Sequence, residues 1–340
     1  MMKKGVVFTV SLVTVALVVF GQSPESLPPK EVRKVVESNG ERFLEGRWKG
    51  IYYKEILEPR KTDIDARTLL DLIYAKDEIP GFLATPNPYN SLHTNIVILN
   101  EWSRIGRTYR SLEKVSIEQT ERPLYEIDLQ VWVMPNREEA LRRAQETMMH
   151  AAMLYEHREL PSGLPLGERF WYWEVPNKIC FLIGRVVVWV TWYSSVAKAD
   201  PFMIEALAWG IEYRIQYHSK KLGMAQKPMT VLVSNRPVAQ GKTILLSGVT
   251  VVPISTLEPA QVTLKTNRTS KEWIVTMTRN GRWIKVKAFS WEMETDKGKV
   301  KLERPVFPYK GELIVPLRQV AEALGMVVHQ KGQTIALMPQ

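Results

Sequence analysis

The sequence predicts an α+β fold. A middle region forms an antiparallel sheet with helices packed on one face, and a mainly β region follows, a twisted antiparallel sheet around a short helix. Three observations carry this. In 126-EIDLQVWVM-134 apolar and polar residues alternate, the period of a half-buried strand. Two segments, 137–157 and 201–218, place apolar residues at helical spacing. Beyond residue 226, strand-like runs joined by turn residues replace helical periodicity.

A chain of 340 residues has room for two domains, each able to bury a core. Residues 1–21 read as a secretory signal: Lys3 and Lys4, the uncharged run 5-GVVFTVSLVTVALVVF-20, then Gly21-Gln22-Ser23-Pro24. An uncleaved anchor is the alternative, since the run is near the lower limit for spanning a bilayer. In that case it is the membrane contact. No Cys follows it, which argues against a lipid anchor. Residues 22–62 form a lead-in with a short amphipathic piece, 30-KEVRKVVES-38.

The middle domain is expected over 63–225. In 63-DIDARTLLDLIYAKDEIPGF-82, Leu69, Leu70, Leu72, Ile73 and Tyr74 predict a helix that stops before Pro80-Gly81. The turn-rich 85-TPNPYNSLHTN-95 reads as a loop. After the strand at 126–134, Asn136 and Glu139 make a capping box for the helix at 137–157. Three strands follow at 168–175, 178–183 and 186–194, the last two joined at Gly184-Arg185. Asp200-Pro201 then starts the second helix, with Ile204, Leu207, Ala208, Ile211 and Ile215 on its buried stripe. Strand, helix, three strands, helix is satisfied by one sheet with helices on one face.

The C-terminal domain is expected over 226–340. Strands are predicted at 229–235, 242–248, 272–280, 282–289 and 298–303, with Asn280-Gly281 as a hairpin turn. In 311-GELIVPLRQVAEALGMVVHQKGQTIAL-337, Gly311 leads a strand through Val315. Pro316 begins a helix, and Leu317, Val320, Ala321 and Leu324 form its buried stripe. Gly325 stops it, and a hairpin closes the chain. The earlier 248-GVTVVPI-254 echoes 311-GELIVPL-317, with Ser255 in the place of Arg318 and Pro259 cutting the helix short.

Together, Asn280-Gly281, Trp283-Ile284-Lys285-Val286, Lys299-Val300-Lys301-Leu302, Pro305, Gly311, Val315-Pro316-Leu317-Arg318 and Val320-Ala321-Glu322-Ala323-Leu324-Gly325 resemble the copper amine oxidase N-terminal-like, or stalk, domain over residues 228–338. The resemblance implies a small antiparallel sheet around one helix. It also implies an accessory module that holds neither copper nor quinone. Gly311, Val315, Pro316, Leu317, Arg318, Ala321, Leu324 and Gly325 are then structural residues of the motif.

Residue chemistry points the same way. His329 is the last third's one histidine, too few for a copper site. His150 and His157 lie two turns apart on one helix, too far to chelate one ion directly, and no metal site or cofactor is expected. Cys180, the single cysteine, sits in an apolar run and reads as a buried thiol. HExxH, GxSxG and phosphate-loop motifs are missing, so a non-catalytic protein is expected. A hydrolase would need acids that only the fold brings together.

Charge is uneven: residues 226–340 hold 17 Lys and Arg against 8 Asp and Glu. That bias suits anionic cell-wall polymer or another envelope protein outside the membrane. Basic residues do not interleave with aromatics in the way nucleic-acid binding needs. The sequence therefore reads as a secreted or periplasmic cell-envelope protein in which the stalk-type domain displays or anchors the middle domain. The alternative is a binding protein for a small ligand or glycan on the aromatic strands, where Trp171, Trp173, Trp189, Trp192 and Tyr193 are the candidate contacts.

Overall fold

A computed structural model describes residues 41–43, 51–55, 64–84, 94–98, 102–117, 119–152, 159–174, 177–194, 196–198, 200–225, 229–238 and 242–339. The signal-type segment, the piece at 30–38, the greater part of the loop at 85–95, and His93 and His157 lie outside these residues. So do 226–228, where the domain boundary was expected. The described fold is mostly strand, in several largely antiparallel sheets, with four α-helices among the described residues: α1 (Ala66–Asp71), α2 (Arg137–Ala152), α3 (Pro201–Tyr217) and α4 (Leu317–Ala323).

A nine-stranded sheet runs in the order Glu41–Phe43, Ile51–Glu55, Thr94–Ile98, Ser103–Ser111, Glu126–Val133, Val186–Tyr193, Asn177–Ile183 and Arg169–Glu174, with Phe82–Ala84 paired beside Ser103–Ser111. Its pairs are antiparallel except that Ile51–Glu55 runs parallel to Thr94–Ile98.

The helices do not share one face of this sheet, which corrects the sequence expectation. Alternation sends Ile127, Leu129, Val131, Val188, Val190 and Trp192 to the face against α3. It sends Trp132, Val187, Trp189, Cys180 and Leu182 to the opposite face, where Ala140 and Ala144 of α2 pack. Both parities are apolar, so both faces need a cover, and each receives one helix. The small alanines let α2 approach the indoles closely.

The helix expected from residue 63 to before Pro80-Gly81 is also much shorter. Asp65 caps it, accepting from Thr68 N at 2.6 Å, but it ends at Asp71. Beyond it the Glu78 carboxylate accepts from Ala75 N at 2.8 Å, and Tyr74 O accepts from Arg107 and Tyr109 of the sheet. These bonds replace the next helical turn. The remaining apolar residues, Ile73, Tyr74 and Ile79, are buried from a turn instead.

Helix α3 is the centre of the molecule. Asp200 caps it, Pro201 opens it, and every residue from Ile204 to Ile215 is buried. A helix buried all round has partners on all sides. One side meets strands Asn177–Ile183 and Val186–Tyr193, and the other meets Ile244–Leu246 and Phe307–Tyr309 of the C-terminal region. One apolar core consequently runs from Ile64 to Leu337.

The C-terminal region contains two four-stranded sheets and one of five strands. The internal echo has a structural counterpart. Hairpin Ile244–Leu246/Val249–Pro253 turns at Ser247-Gly248, and hairpin Phe307–Tyr309/Glu312–Pro316 turns at Lys310-Gly311; all four turn residues have positive φ. The two hairpins pair with each other, Val252 opposite Val315. The second copy continues into α4, whereas the first continues into a 3-10 helix, Ile254–Ala260, with Pro259 inside it.

Candidate functional site

The structure divides the aromatic candidates. Trp173 and Trp189 stack with centroids 6.3 Å apart, the Lys178 ammonium lies 3.9 Å from the Trp189 centroid, and half-buried Trp171 packs beside them. These three are brought together, but under α2 rather than in an open pocket. Trp192 faces the other way, edge-on to Phe82 at 5.8 Å and to Tyr125 at 5.4 Å. Tyr193, at the strand end, is 46% exposed. The five therefore form no single surface.

The motif residues lie in the core or around α4. Val315, Leu317, Ala321 and Leu324 are buried in the core, Gly311 makes the turn at φ +82°, and Pro316 precedes α4 as its cap. Arg318 is half exposed and pairs with Glu322 at 3.6 Å. Gly325, at φ +73°, leaves room for the Arg282 guanidinium, which a Cβ would meet at 2.9 Å.

The most heavily built polar cluster is one that sequence reasoning missed. The Arg214 guanidinium, inside α3, lies 2.7 Å from Glu78. It also donates to Pro308 O at 2.9 Å and Gly210 O at 3.0 Å, and covers the Tyr74 ring at 4.0 Å. The other Glu78 oxygen accepts from Lys310 N at 3.0 Å. Beside it Asp71 meets Lys310 Nζ at 2.9 Å and His218 Nε2 at 3.3 Å. Burial pushes the Asp71 carboxyl up, but His218 and Lys310 outweigh it and hold it below its ordinary value. The turn after α1, helix α3 and the C-terminal region are thus tied at one point. A charged residue amid the apolar positions of α3 was the available signal; its partner is remote in sequence.

Two further buried acids of α3 hold the loop before the edge strand. Glu205 accepts from Ser162 and from Trp209 Nε1 at 3.2 Å, and Glu212 accepts from Gly167 N at 3.0 Å. Burial raises the Glu212 carboxyl to about 7. Cys180 is fully buried and its thiol is pushed up by desolvation. Among the described residues no three His, Cys, Asp or Glu are grouped to hold a metal ion.

Two open clefts stand out among the described residues. One, of about 630 Å³, has Trp192, Tyr125, Phe82 and Met203 in its walls, where the sheet, the start of α3 and Lys271 of the C-terminal region converge. The other, of about 540 Å³, lies between Trp102, Trp132 and Arg143, beside the Arg142–Glu139 pair.

The outer face of the five-stranded sheet is ordered by register. Lys265 stands opposite Thr276, which stands opposite Lys285; Lys285 is opposite Glu294, and Glu294 opposite Lys299. Glu292 is opposite Lys301, and Lys287 lies two residues along from Lys285. Lys285 reaches Glu294 at 3.3 Å and Lys299 reaches Glu292 at 3.7 Å. Lys287 reaches Glu272 at 3.7 Å, so five lysines share this face with three acids, and Trp283 on the same face is 39% exposed.

Residues 215–337 match the family model of the copper amine oxidase N-terminal domain, just over a third of the chain. The match begins inside α3, so the matched region includes the last turn of the helix that carries Arg214. It covers the N-terminal domain of that family and not its catalytic domain. No curated protein and no solved structure matches the chain.

Proposed function

We propose that this is an exported, non-catalytic envelope protein whose stalk-type C-terminal region anchors the nine-stranded sheet to anionic wall polymer. The observation that carries this reading is the lysine face of the five-stranded sheet. Five cations on a regular two-dimensional grid, with three acids among them, offer a polyanion several simultaneous contacts. Each contact alone is weak and screened, but their sum steers and holds a polymer of opposite sign. The matched family domain supports an accessory role, since it is the stalk and not the catalytic part of its namesake. The signal-type segment supports export.

A pull-down of the chain lacking residues 1–21 against purified envelope fractions tests this. Retention on wall polymer is expected at about 0.1 M salt and release at about 1 M, where the screening length falls from about 10 Å to about 3 Å. Changing Lys285, Lys287, Lys299 and Lys301 to Glu abolishes retention. Retention that survives both the salt step and the charge reversal rules the reading out.

A further inference from the structure

The cleft walled by Trp192 takes no part in the lysine face or in the Glu78–Arg214 joint. Its volume, about 630 Å³, lies within the range of small-molecule sites, which favour junctions between regions of a fold. Phe82, Tyr125 and Trp192 meet edge to face and, with Met203 and Leu112, line it with apolar surface. The walls are fixed across the junction: Gly81 N donates to Ser270 O at 2.7 Å, and Trp291 Nε1 donates to Phe202 O at 2.9 Å. The segments around it also carry unusual exposed apolar surface: Leu112 at 37%, Phe202 at 40% and Val196 at 52%.

The polar groups can be sorted by what they already do. Asp200 caps α3 through Phe202 N at 2.9 Å. Ser111 Oγ accepts from Tyr125 N and donates to Glu113 O. Lys198 and Lys271 then remain as the two cations at the mouth, with the Glu113 carboxylate beside them and the Asp200 carboxylate held at the α3 cap. Lys198 does reach Glu174 at 3.2 Å, but its side chain is 77% exposed and free to swing.

We propose that this cleft binds a small amphiphile, an apolar body carrying one anionic group. The body lies among Trp192, Tyr125, Phe82 and Met203, and the anionic group meets Lys198 and Lys271.

Fluorescence titration of the full chain tests it with two dyes of similar aromatic frame, anilinonaphthalene sulfonate and the uncharged phenylnaphthylamine. One sulfonate dye per chain is expected, with the uncharged dye roughly tenfold weaker. Leu112→Arg at the exposed rim removes binding of both. Lys198→Gln with Lys271→Gln brings the two affinities together. These three positions are on the surface, and circular dichroism checks that each variant is folded. Displacement by laurate alone identifies a free acid as the ligand type, and displacement by phosphatidylglycerol vesicles identifies a lipid headgroup. Several dyes bound per chain without any effect of Leu112→Arg overturns the proposal, as does equal affinity for both dyes, or a bound dye that neither competitor displaces. The wall-polymer pull-down reads a different surface, so either idea can fail without the other.

Discussion

Glu78 Oε2 and Arg214 Nη2 lie 2.7 Å apart in the interior, 136 positions apart in sequence. Burial pulls the Arg214 proton affinity down, but Glu78 and the surrounding tyrosines more than restore it, so the guanidinium stays charged. A buried ion pair is poor evidence of net stability, but losing one partner leaves the other charge uncompensated. Glu78→Ala is therefore expected to destabilise the fold by about 3–5 kcal/mol. Glu78→Leu combined with Arg214→Met should recover much of that loss. Urea denaturation of the two variants measures both. A single variant within about 0.5 kcal/mol of the parent would show that the pair does not tie the regions together.

The same joint explains Gly210. A Cβ there would fall 1.9 Å from Tyr74 Oη, whose hydroxyl donates to Leu207 O at 2.9 Å. Gly210→Ala should cost at least about 1–3 kcal/mol, the usual range for overpacking. Tyr74→Phe removes the clashing oxygen but leaves Leu207 O without that donor. If the clash is the cause, the double variant loses less than the sum of the two single changes. Strict additivity in a double-mutant cycle would reject it.

What the sequence made legible was local. The stripe Leu317, Val320, Ala321 and Leu324 and its stop at Gly325 depend on neighbours a few residues away, and the structure has them as expected. Strand alternation was equally readable in 126-EIDLQVWVM-134, where Ile127, Leu129 and Val131 share one buried face. Alternation does not say which helix covers which face, so α2 and α3 were assigned to the same one. Nor does it see Glu78 against Arg214, Asp71 against Lys310, or the cleft at Trp192, each assembled from segments far apart in the chain. The helix expected to reach Pro80-Gly81 ends early, at Asp71, for a related reason. Tyr74 O is taken by Arg107 and Tyr109, partners a local pattern does not contain.

The aromatic residues under α2 give a contrast between neighbours. Trp189 is 6% exposed and stacked on Trp173, whereas Tyr193, further along the same strand, is 46% exposed. Trp189→Ala should cost about 3–5 kcal/mol through the cavity it leaves, and Tyr193→Ala about 0.5 kcal/mol or less. Thermal unfolding separates them. Equal effects would mean that α2 does not seal that face in solution.

Stability should also depend on pH through Glu212. Its folded carboxyl is raised from an ordinary value near 4.5 to about 7, with desolvation the largest cause; the bond from Gly167 N and the charge of Arg304 oppose it. Between those two values the folded state holds a proton that the unfolded chain has released. Stability therefore falls as pH rises through that window, by up to about 3 kcal/mol in total. Asp71 has the opposite sign. Its folded carboxyl is depressed, so its contribution is full at neutral pH and is lost only as pH falls below the ordinary carboxylate range. Glu212→Gln keeps an acceptor for Gly167 N and removes the proton, so its stability should be flat where the parent's slopes. Urea midpoints from about pH 4.5 to about pH 7 read the difference. A parent and a variant with parallel profiles would mean that Glu212 is ionised in the fold, and that water or a charge reaches α3 where the structure has it dry.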